Sequence, residues 1–344
     1  MTTSMEIRVL DEHSKLKWDA FVENCQEATF FHKAGWKEVI ERSFGHNTHF
    51  LYAESDDEIH GVIALGQVKS KLFGNALISA PFCVYGGVAA NNENARVKLS
   101  QAASDLARSL DVDYLEMRNR SECDPQRPKK DLYVTFRREL DQDPEKNLQA
   151  IPRKQRAVVR KGMKAGLEGV IDTDVERFYD IYAQSVRNLG TPVFSRKYFS
   201  VLKEVFGDAC EVLTIEHQGR AVSSVMSFYF RNEVLPYYGG GTSEARGLKS
   251  NDFMYWDLMC RALPRGVKIF DYGRSKKGTG SYRFKRHWGF EPEPLFYEFD
   301  LVRAKSLPDI NPLNPKYKIF IALWQKLPLP VSMAVGPWIS KNIG

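Results

Sequence analysis

The chain has few cysteines and no long apolar run. Its five cysteines are widely separated and form no C-x-x-C pair: Cys25, Cys83, Cys123, Cys210 and Cys260. An odd number of cysteines without such pairs excludes a disulfide framework or a zinc ribbon and fits a reducing cytosol. No stretch reaches the roughly 18 apolar residues of a membrane span. The N-terminus, MTTSMEIRVLDEHSKLK, lacks the apolar core of a secretion signal, so we expect a cytoplasmic protein.

Motifs of covalent and metal-dependent catalysis are also missing. There is no G-x-S-x-G sequence, and no cysteine stands with a histidine and an asparagine that would complete a catalytic set. His46 and His49 have no cysteine or clustered carboxylates around them, and His287 has no partner ligand in view. The sequence therefore gives no support for a covalent acyl-enzyme or for a metal site.

What the chain does have is a globular composition and a mild positive charge. Of its 344 residues, 43% are hydrophobic and 27% are charged, and the formal net charge is +6. The length is more than one core comfortably accommodates and suits two domains. The charge favours anionic partners, a polyanion among them.

The order of predicted elements is repeated along the chain, offset by roughly 150 to 165 residues. KYFSVLKEVFG at 197–207 corresponds to GWKEVIERSFG at 35–45, and both read as amphipathic helices that end in Phe-Gly. In each half there follow two strands around a polar turn, a glycine-rich segment (VYGGVAA, then PYYGGGT), a helix and a final strand. We infer an internal duplication of one α/β unit. The expected ranges are 1–145 for the first domain, 146–303 for the second and 304–344 for an apolar tail.

The stretch KIFDYGRSKKGTGSYRFKRHW, from Lys268 to Trp288, concentrates basic, glycine and aromatic residues. Its beginning reads as a short buried strand that ends at Gly273. The remainder predicts a glycine-rich loop, in which backbone N–H groups approach an anion, Lys and Arg supply charge, and aromatic rings supply a wall. A solvated basic loop is the alternative.

Two other segments leave alternatives open. The segment from Arg153 to Lys164 contains six basic residues, and a solvated connecting helix explains them about as well as a polyanion contact site. The C-terminal stretch YKIFIALWQKLPLPVSMAVGPWISKNIG is apolar and broken by prolines. It either packs on the second domain or contacts a membrane surface, and packing is favoured.

Several of these motifs together resemble the FemAB peptidyltransferase family. The resemblance rests on the duplicated unit, on WKEVIERSFG, on PYYGGGT followed by ARGLKSNDFMYW, and on FDYGRSKKGTGSYRFKRHWGFEPEPLFY; it extends from about Thr29 to Phe299. It implies an α/β fold of two tandem GNAT-like (acyl-CoA N-acyltransferase-like) domains. The sequence is most similar to FemAB-related proteins of bacterial exosortase (PEP-CTERM) and exopolysaccharide loci, which implies a place in exopolysaccharide biosynthesis.

Characterised members of this family move an amino acid from aminoacyl-tRNA to an amine of a peptidoglycan precursor. The resemblance therefore implies an aminoacyltransferase that forms an amide bond on a peptidoglycan or exopolysaccharide-related precursor, a glycan or a lipid-linked molecule. No bound cofactor is expected; the donor is aminoacyl-tRNA, or alternatively acyl-CoA. We expect a cytoplasmic enzyme whose tail can contact the inner face of the cell membrane.

The resemblance also implies roles for particular residues. A Phe-Lys pair in a Y-x-F-K pattern of the last strand region handles substrate in the family, and here the pair is Phe284 and Lys285. A family lysine just after a Trp contacts sugar-nucleotide phosphates. The matching residues here are Trp36 and Lys37, although the spacing differs by about one residue.

The chemistry itself points to Lys285 and Asp271. Amide formation from an activated ester needs aligned substrates, an uncharged amine and donors for the oxyanion. Lys285, as a cation, would stabilise that developing charge. Asp271 would accept the amine proton from within an apolar strand, or else pair with Arg274.

Further residues complete the predicted substrate site. Tyr238, beside a triple glycine, would orient an acceptor by its hydroxyl or belong to the core. Asn251 and Asp252 stand where the helix DFMYWDLMCRAL begins, so one of them is expected to be its N-cap. The basic stretch contributes the remaining predicted substrate-binding residues: Arg274, Tyr282, Arg283, Phe284 and Trp288.

Two other functions compete with aminoacyl transfer. A GNAT enzyme that uses acyl-CoA wraps the pyrophosphate with an R-x-x-G-x-G/A loop at a helix N-terminus. The sequence ARGLKSND offers Arg246 and Gly247 but no second glycine at that spacing. The other alternative is a non-catalytic module that binds a glycan or nucleic acid, and the basic and glycine residues that follow Asp271 argue against it.

Overall fold

The computed structural model describes residues 4–70, 74–308 and 315–343, and they form two compact units. The first unit consists of the described residues of Met1–Tyr133, Pro294–Asp309 and Lys341–Gly344. The second consists of those of Val134–Glu293 and Ile310–Ser340. Each unit is built around a mixed sheet of eight strands, which confirms the two-domain α/β architecture.

The elements follow one another in this order. Up to β7 they are β1 (Glu6–Val9), α1 (Lys15–Asn24), α2 (Gly35–Phe44), β2 (Asn47–Ser55), β3 (Glu58–Ser70), β4 (Gly74–Ser79), β5 (Ala89–Ala90), α3 (Glu93–Ser109), β6 (Tyr114–Asn119) and β7 (Lys129–Lys130). From β8 to α9 they are β8 (Tyr133–Glu139), α4 (Pro144–Ala150), α5 (Arg153–Met163), β9 (Leu167–Asp172), α6 (Glu176–Leu189), α7 (Arg196–Phe206), β10 (Cys210–His217), β11 (Arg220–Phe230), β12 (Glu233–Gly241), α8 (Ala245–Leu248) and α9 (Ser250–Ala262). The last are β13 (Ile269–Asp271), β14 (Ser275–Lys276), α10 (Gly280–His287), β15 (Pro292–Pro294), β16 (Phe296–Leu301), α11 (Pro315–Trp324) and α12 (Leu329–Ser340).

The first sheet has the order β1-β2-β3-β4-β6-β16-β7, with β5 paired to β3. β4 and β6 are parallel, and α3 makes the crossover that a parallel pair requires. α3 buries Ala95, Leu99, Ala103 and Ala107 against the sheet, because residues four apart share one face of a helix.

The second sheet repeats this plan in the order β14-β8-β13-β12-β11-β10-β9, with β15 paired to β8. β12 and β13 are its parallel pair, and α9 is its crossover helix. Met254, Leu258 and Ala262 of α9 are buried in the core of this unit. The same succession of antiparallel strands, crossover helix and parallel strand in both sheets confirms the duplication.

Each sheet takes one strand from the other half of the sequence. The antiparallel neighbour of β6 is β16, along all six residues from Tyr114 to Asn119. In the second sheet, the corresponding neighbour of β13 is β8, which precedes every other strand of that sheet in the chain. The structural units therefore differ from the contiguous ranges 1–145 and 146–303, because the two copies have exchanged one strand each.

Two segments have structures that the sequence interpretation did not anticipate. Tyr237–Gly241 lies within β12, whereas the VYGG segment at 84–87 is a loop that precedes β5, so these glycine-rich segments are not equivalent. The basic stretch is not an open loop: after Gly273 it forms β14 and then α10, whose N-cap Thr279 accepts a hydrogen bond from Tyr282 N.

The C-terminal tail contributes α11 and α12 to the second unit; residues 309–314 and 344 of the expected tail lie outside the described residues. α12 packs closely against the loop that follows α6, where Ser340 Oγ donates to the carbonyl of Val193 at 3.1 Å. Among the described helices, none combines the length and apolar character needed to cross a membrane.

Candidate functional site

The parallel strands of the second sheet stay together for only two residue pairs. Glu233 faces Ile269 and Val234 faces Phe270, after which β12 continues to Gly241 while β13 ends at Asp271. The chain turns at Gly273, whose φ of +67° lies in the region that favours glycine. The residues that follow this turn form the centre of the candidate site.

Lys285 lies on α10 and is buried, with only 8% of its surface exposed. Its Nζ donates to the carbonyl oxygens of Gly273 at 2.8 Å and Arg274 at 3.0 Å. The amine thus fixes α10 to the turn after β13. The expected strand position of the Phe-Lys pair is wrong, because Phe284 and Lys285 belong to a helix whose final turn holds the lysine inside.

The surroundings of Lys285 make it an unusual lysine. Burial lowers its pKa from 10.5 to about 7; the nearby Asp271 carboxylate opposes this shift, and the Arg274 guanidinium adds to it. Near neutral pH the side chain therefore exchanges between ammonium and amine. Two of its hydrogens are held by carbonyls, which leaves the third ammonium N–H, or the lone pair of the amine, for a substrate.

Replacing Lys285 with Met is expected to flatten the dependence of stability on pH. In the wild type, the folded state releases this proton near pH 7 while the unfolded state keeps it to about 10.5, so unfolding takes up a proton in between. The free energy of unfolding therefore rises with pH across this window and gains nothing below about pH 7. Urea denaturation at about pH 6.5 and about pH 9.5 measures the rise, and an equal rise in the variant contradicts the assignment.

Four aromatic rings cluster on α9, on α10 and at the turn after β13, and the Phe136 ring lies 5.6 Å from Lys285 Nζ. The ring centroids of Tyr255 and Tyr272 are 5.0 Å apart, and those of Tyr255 and Phe284 are 5.7 Å apart. Trp288 is fully buried, and its ring centroid lies 6.0 Å from that of Tyr272. Such a wall lowers the local dielectric around the amine, which strengthens any electrostatic interaction made there.

Several buried polar atoms around this wall have no hydrogen-bond partner within the described structure. They are the Tyr272 hydroxyl, Ser275 Oγ, Thr242 Oγ1, Ser250 Oγ and Asn251 Oδ1. Most buried polar groups in folded proteins are paired, because burial without a partner is costly. Tyr272 and Ser275 flank the two carbonyls that hold Lys285, and the other three lie between the end of β12 and the start of α9. A polar substrate would satisfy them.

Tyr272 was missed by the sequence interpretation. Burial raises its pKa well above the usual value of 10, so its hydroxyl stays protonated and can donate a hydrogen bond. Its position, the last residue before the glycine turn that ends β13, is the sequence signal that could have identified it.

Asp271 is buried and fully engaged. Its carboxylate forms an ion pair with Arg137 Nε at 3.2 Å and accepts hydrogen bonds from Gly273 N at 2.7 Å and Thr135 Oγ1 at 3.3 Å. Arg137 comes from the exchanged strand β8, a partner that sequence order did not suggest. These contacts favour a positioning role, because they fix the turn that carries the two carbonyls.

One of Asn251 and Asp252 was expected to be the N-cap of the helix, but neither residue is. α9 begins at Ser250, and its N-cap is Lys249 in the left-handed conformation. Asp252 Oδ1 instead accepts hydrogen bonds from Trp288 Nε1 at 3.3 Å and from Gln155 Nε2. Asp252 thus joins α5, α9 and α10.

Tyr238 is a core residue. Its hydroxyl is hydrogen-bonded to that of Tyr198 at 2.8 Å, and its ring packs edge-on against Phe199 at 5.2 Å. Its hydroxyl is thereby bonded inside an aromatic cluster, which favours the interpretation of Tyr238 as a core residue over that of a residue that orients an acceptor.

In the basic stretch, Tyr282 packs edge-on against Phe136 at 5.4 Å, and Arg283 Nη1 donates to Gly278 O at 2.9 Å.

Trp36 and Lys37 belong to the first unit. Trp36 is fully buried, and its Nε1 donates to Phe30 O at 3.1 Å, so it is part of the core. Lys37 is about one-third exposed and forms an ion pair with Glu41 one turn later on α2, at 2.5 Å. A phosphate at Lys37 would have to compete with this carboxylate.

The equivalent place in the first sheet is filled by the chain itself. Where β4 and β6 part, Arg118 is buried and its Nη1 donates to Cys83 O at 2.6 Å. The amides of Gly86 and Gly87 donate to Arg118 O at 3.1 Å. The loop at 80–88 therefore packs against the end of β6, and Lys285, the residue on which the candidate active site is centred, belongs to the second unit.

α5 presents a row of basic residues beside this site. Arg153, Arg156, Arg160, Lys161 and Lys164 line an open groove of about 440 Å³, which we call the basic groove. They recur at the spacing that places side chains on one face of a helix. The opposite face packs on α9, where Gly162 leaves room for Phe253. Gln155 donates to Asp252 of α9, which also accepts a hydrogen bond from Trp288 at the end of α10, the helix that carries Lys285.

Two other features were considered as possible sites among the described residues: a second surface depression and groups of potential metal ligands. A larger open depression of about 800 Å³ is lined by both acidic and basic residues, among them Asp174, Lys203 and Arg265, and contains no predicted site residue. No group of three His, Cys, Asp or Glu side chains suited to a metal ion occurs in the part of the chain that is described.

Part of this chain matches a known domain family, and its fold is similar to that of several solved structures. Residues 153–286 match the acetyltransferase (GNAT) domain, a range that includes α5, α9 and Lys285. No match to a curated protein was found. The FemX crystal structure has 14% identity and a TM-score of 0.68, covering 92% of this chain and 100% of that chain.

Two further solved structures share the fold. A tandem GNAT protein from the clavulanic acid biosynthesis pathway is 14% identical with a TM-score of 0.54, and it covers 89% of this chain and 100% of that chain. The C-terminal domain of a putative lysylphosphatidylglycerol synthetase from Agrobacterium fabrum is 12% identical with a TM-score of 0.56, covering 84% and 92%. The tandem GNAT fold is therefore confirmed, and the matched domain supports an acyltransferase.

Proposed function

We propose that this protein is an aminoacyltransferase. It would transfer the aminoacyl group of aminoacyl-tRNA to an amine of a peptidoglycan or exopolysaccharide-related precursor. The observation that carries the proposal is the buried Lys285 amine, which is held by two carbonyls between the unpaired side-chain oxygens of Tyr272 and Ser275, within the range that matches the acetyltransferase domain.

The reaction needs only groups that this site contains. The neutral acceptor amine attacks the ester carbonyl, forming a C–N bond; the C–O bond to the ribose then breaks, and the amine proton leaves to the ribose oxygen or to water. The ammonium form of Lys285 and the Tyr272 hydroxyl would both donate to the oxyanion, and both side chains are buried away from water. A negative charge beside Lys285 raises the pKa of the amine and so favours the ammonium form.

The basic groove supports tRNA as the donor. Five cations along one groove can contact several phosphates of a nucleic acid at once, which is more than a single pyrophosphate requires. Asp252 connects this helix to α10, so phosphates bound along α5 would place an acyl end near Lys285.

The local structure disfavours acyl-CoA. A pyrophosphate nest needs free backbone N–H groups at the start of the crossover helix. Here the segment before α9 forms α8, in which Ala245 N donates to Thr242 O and Leu248 N to Glu244 O, while Phe253 N donates to Lys249 O. Several of these amides are therefore already used.

Neutralising the basic groove is expected to weaken tRNA binding about tenfold or more at low salt. The variant Arg156→Gln/Lys164→Gln removes two groove cations, and each lost phosphate contact lowers the salt slope by about 1. The matched control is Lys197→Gln/Lys268→Gln, which removes two exposed cations elsewhere in the same unit. Fluorescence anisotropy with labelled aminoacyl-tRNA, uncharged tRNA and acetyl-CoA, at two salt concentrations, gives the affinities.

The same titration distinguishes the competing functions. Tighter binding of charged than of uncharged tRNA, with both affinities lowered in the groove variant and kept in the control, supports aminoacyl transfer. Tight binding of acetyl-CoA with equal, salt-sensitive binding of both tRNAs identifies an acyl-CoA-dependent N-acyltransferase. Binding of neither donor leaves a glycan-binding module. A lipid-linked acceptor would bring the protein to the inner face of the cell membrane.

A further inference from the structure

The two C-terminal helices turn large apolar side chains towards solvent. The exposed fractions are 64% for Ile319, 63% for Leu323 and 54% for Trp338. Phe320, Val331 and Val335 are also exposed. Residues 319, 320 and 323 share one face of α11, and residues 331, 335 and 338 share one face of α12. We call these six side chains the tail apolar faces.

The inner face of α12 is made of small residues. Ser332, Gly336 and Ser340 are its buried positions. A Cβ on Gly336 would lie 2.9 Å from Val193 N, which shows how closely the helix approaches the loop after α6. A surface helix of a water-soluble protein buries its large apolar residues. In α12 the buried positions are small residues and large apolar residues are exposed, so its outer face is suited to contact with an apolar partner.

The charge of the tail indicates the kind of surface that the tail apolar faces contact. From Ile310 to Gly344 the sequence contains no Asp or Glu and four lysines, Lys316, Lys318, Lys326 and Lys341. Lys318 and Lys326 are exposed on or next to α11. Cations beside exposed Trp, Phe and Leu are the pattern of helices that lie in the interface of an anionic bilayer. At 10 and 12 residues, α11 and α12 are too short to span one.

We infer that α11 and α12 are an interfacial anchor that binds an anionic lipid surface. The tail apolar faces enter the boundary between headgroups and acyl chains, and the lysines pair with lipid phosphates. This anchor holds the second unit, which contains the Lys285 site, at a membrane surface. The inference does not depend on which acyl donor the enzyme uses.

Vesicle flotation tests the anchor with the full-length protein. We expect the wild type to bind vesicles of phosphatidylcholine with about 30% phosphatidylglycerol and to bind pure phosphatidylcholine at least about tenfold more weakly. The variant Ile319→Ser/Leu323→Ser/Trp338→Ser should lose at least about tenfold in binding to the anionic vesicles. The matched control, Leu16→Ser/Val97→Ser/Leu189→Ser, replaces three apolar side chains that are exposed outside the tail and should bind like the wild type.

Three results would overturn the anchor. They are wild-type protein that floats with neither vesicle, a tail variant that floats as well as the wild type, and a control variant that loses binding equally. A wild-type dimer that becomes a monomer in the tail variant, without vesicle binding, would instead assign the faces to a second copy of the chain. Thermal denaturation of each variant verifies folding. Since no donor or acceptor is present, failure here is separate from failure of the proposed reaction.

Discussion

We expect the Lys285→Met variant to fold but to carry out the proposed acyl transfer at least about a hundredfold more slowly than the wild type. Met fills the space of the lysine stem, so the packing beside Phe284 and the aromatic wall is kept. What disappears is the buried amine that donates to Gly273 O and Arg274 O, together with the hydrogen it offers to the oxyanion. Single-turnover transfer, followed by mass spectrometry of the amide product, measures the loss.

Tyr272→Phe separates catalysis from stability at the same site. Because the Tyr272 hydroxyl has no partner within the described structure, its removal sacrifices no protein hydrogen bond and should leave Tm unchanged or slightly raised. The rate should nevertheless fall about tenfold or more if this hydroxyl donates to the oxyanion. Lys268→Met, an exposed lysine just before β13, is the control and should retain full activity. Wild-type rates in both site variants would refute the proposed mechanism.

We expect that a fragment of residues 1–133 does not fold, and that the same fragment joined to residues 294–308 does. Without β16, the strand β6 loses its antiparallel partner along its whole length, and β7 loses its only paired strand in the first sheet. A linker of two or three glycines suffices for the fusion, because Leu295 N lies 3.1 Å from Tyr133 O. Far-UV circular dichroism and the dispersion of amide NMR signals compare the two chains.

A disrupted fusion provides the control for strand pairing. Tyr297 and Phe299 of β16 are almost completely buried, so a fusion that has Tyr297→Asp and Phe299→Asp should fail like the bare fragment. A bare fragment that gives a dispersed spectrum would show that the first unit is independent of the exchanged strand.

The sequence predicted the repeated unit because its signals are local. The helices α2 and α7 both end in Phe-Gly, and Gly45 takes the left-handed conformation that closes α2. The exchange of β8 and β16 had no such signal. Both are short strands with buried aromatic residues, Phe136 in one and Tyr297 in the other, and such a pattern fits either sheet.

The same distinction applies to the candidate site. Lys285 and its aromatic neighbours were proposed from the sequence because basic and aromatic residues alternate around them, and their role stays a prediction. The sequence did not predict that the amine is buried, because lysine is normally a surface residue. Nor did it predict the ion pair between Asp271 and Arg137, which lie far apart in sequence and meet only through the exchanged strand. Contacts of this kind depend on topology, which local patterns do not specify.

The exchanged strands also determine the order in which a growing chain can finish folding. When the ribosome has made β13, the second sheet already has β8 and can close around Asp271. The first sheet must wait for β16, which is translated more than 150 residues after β6. At about 5–20 residues per second this delay is roughly 9 to 35 s, during which β6 has an open edge. The first sheet is thus begun first but receives its last strand after the second sheet does, so β6 is open to incorrect strand pairing throughout this delay.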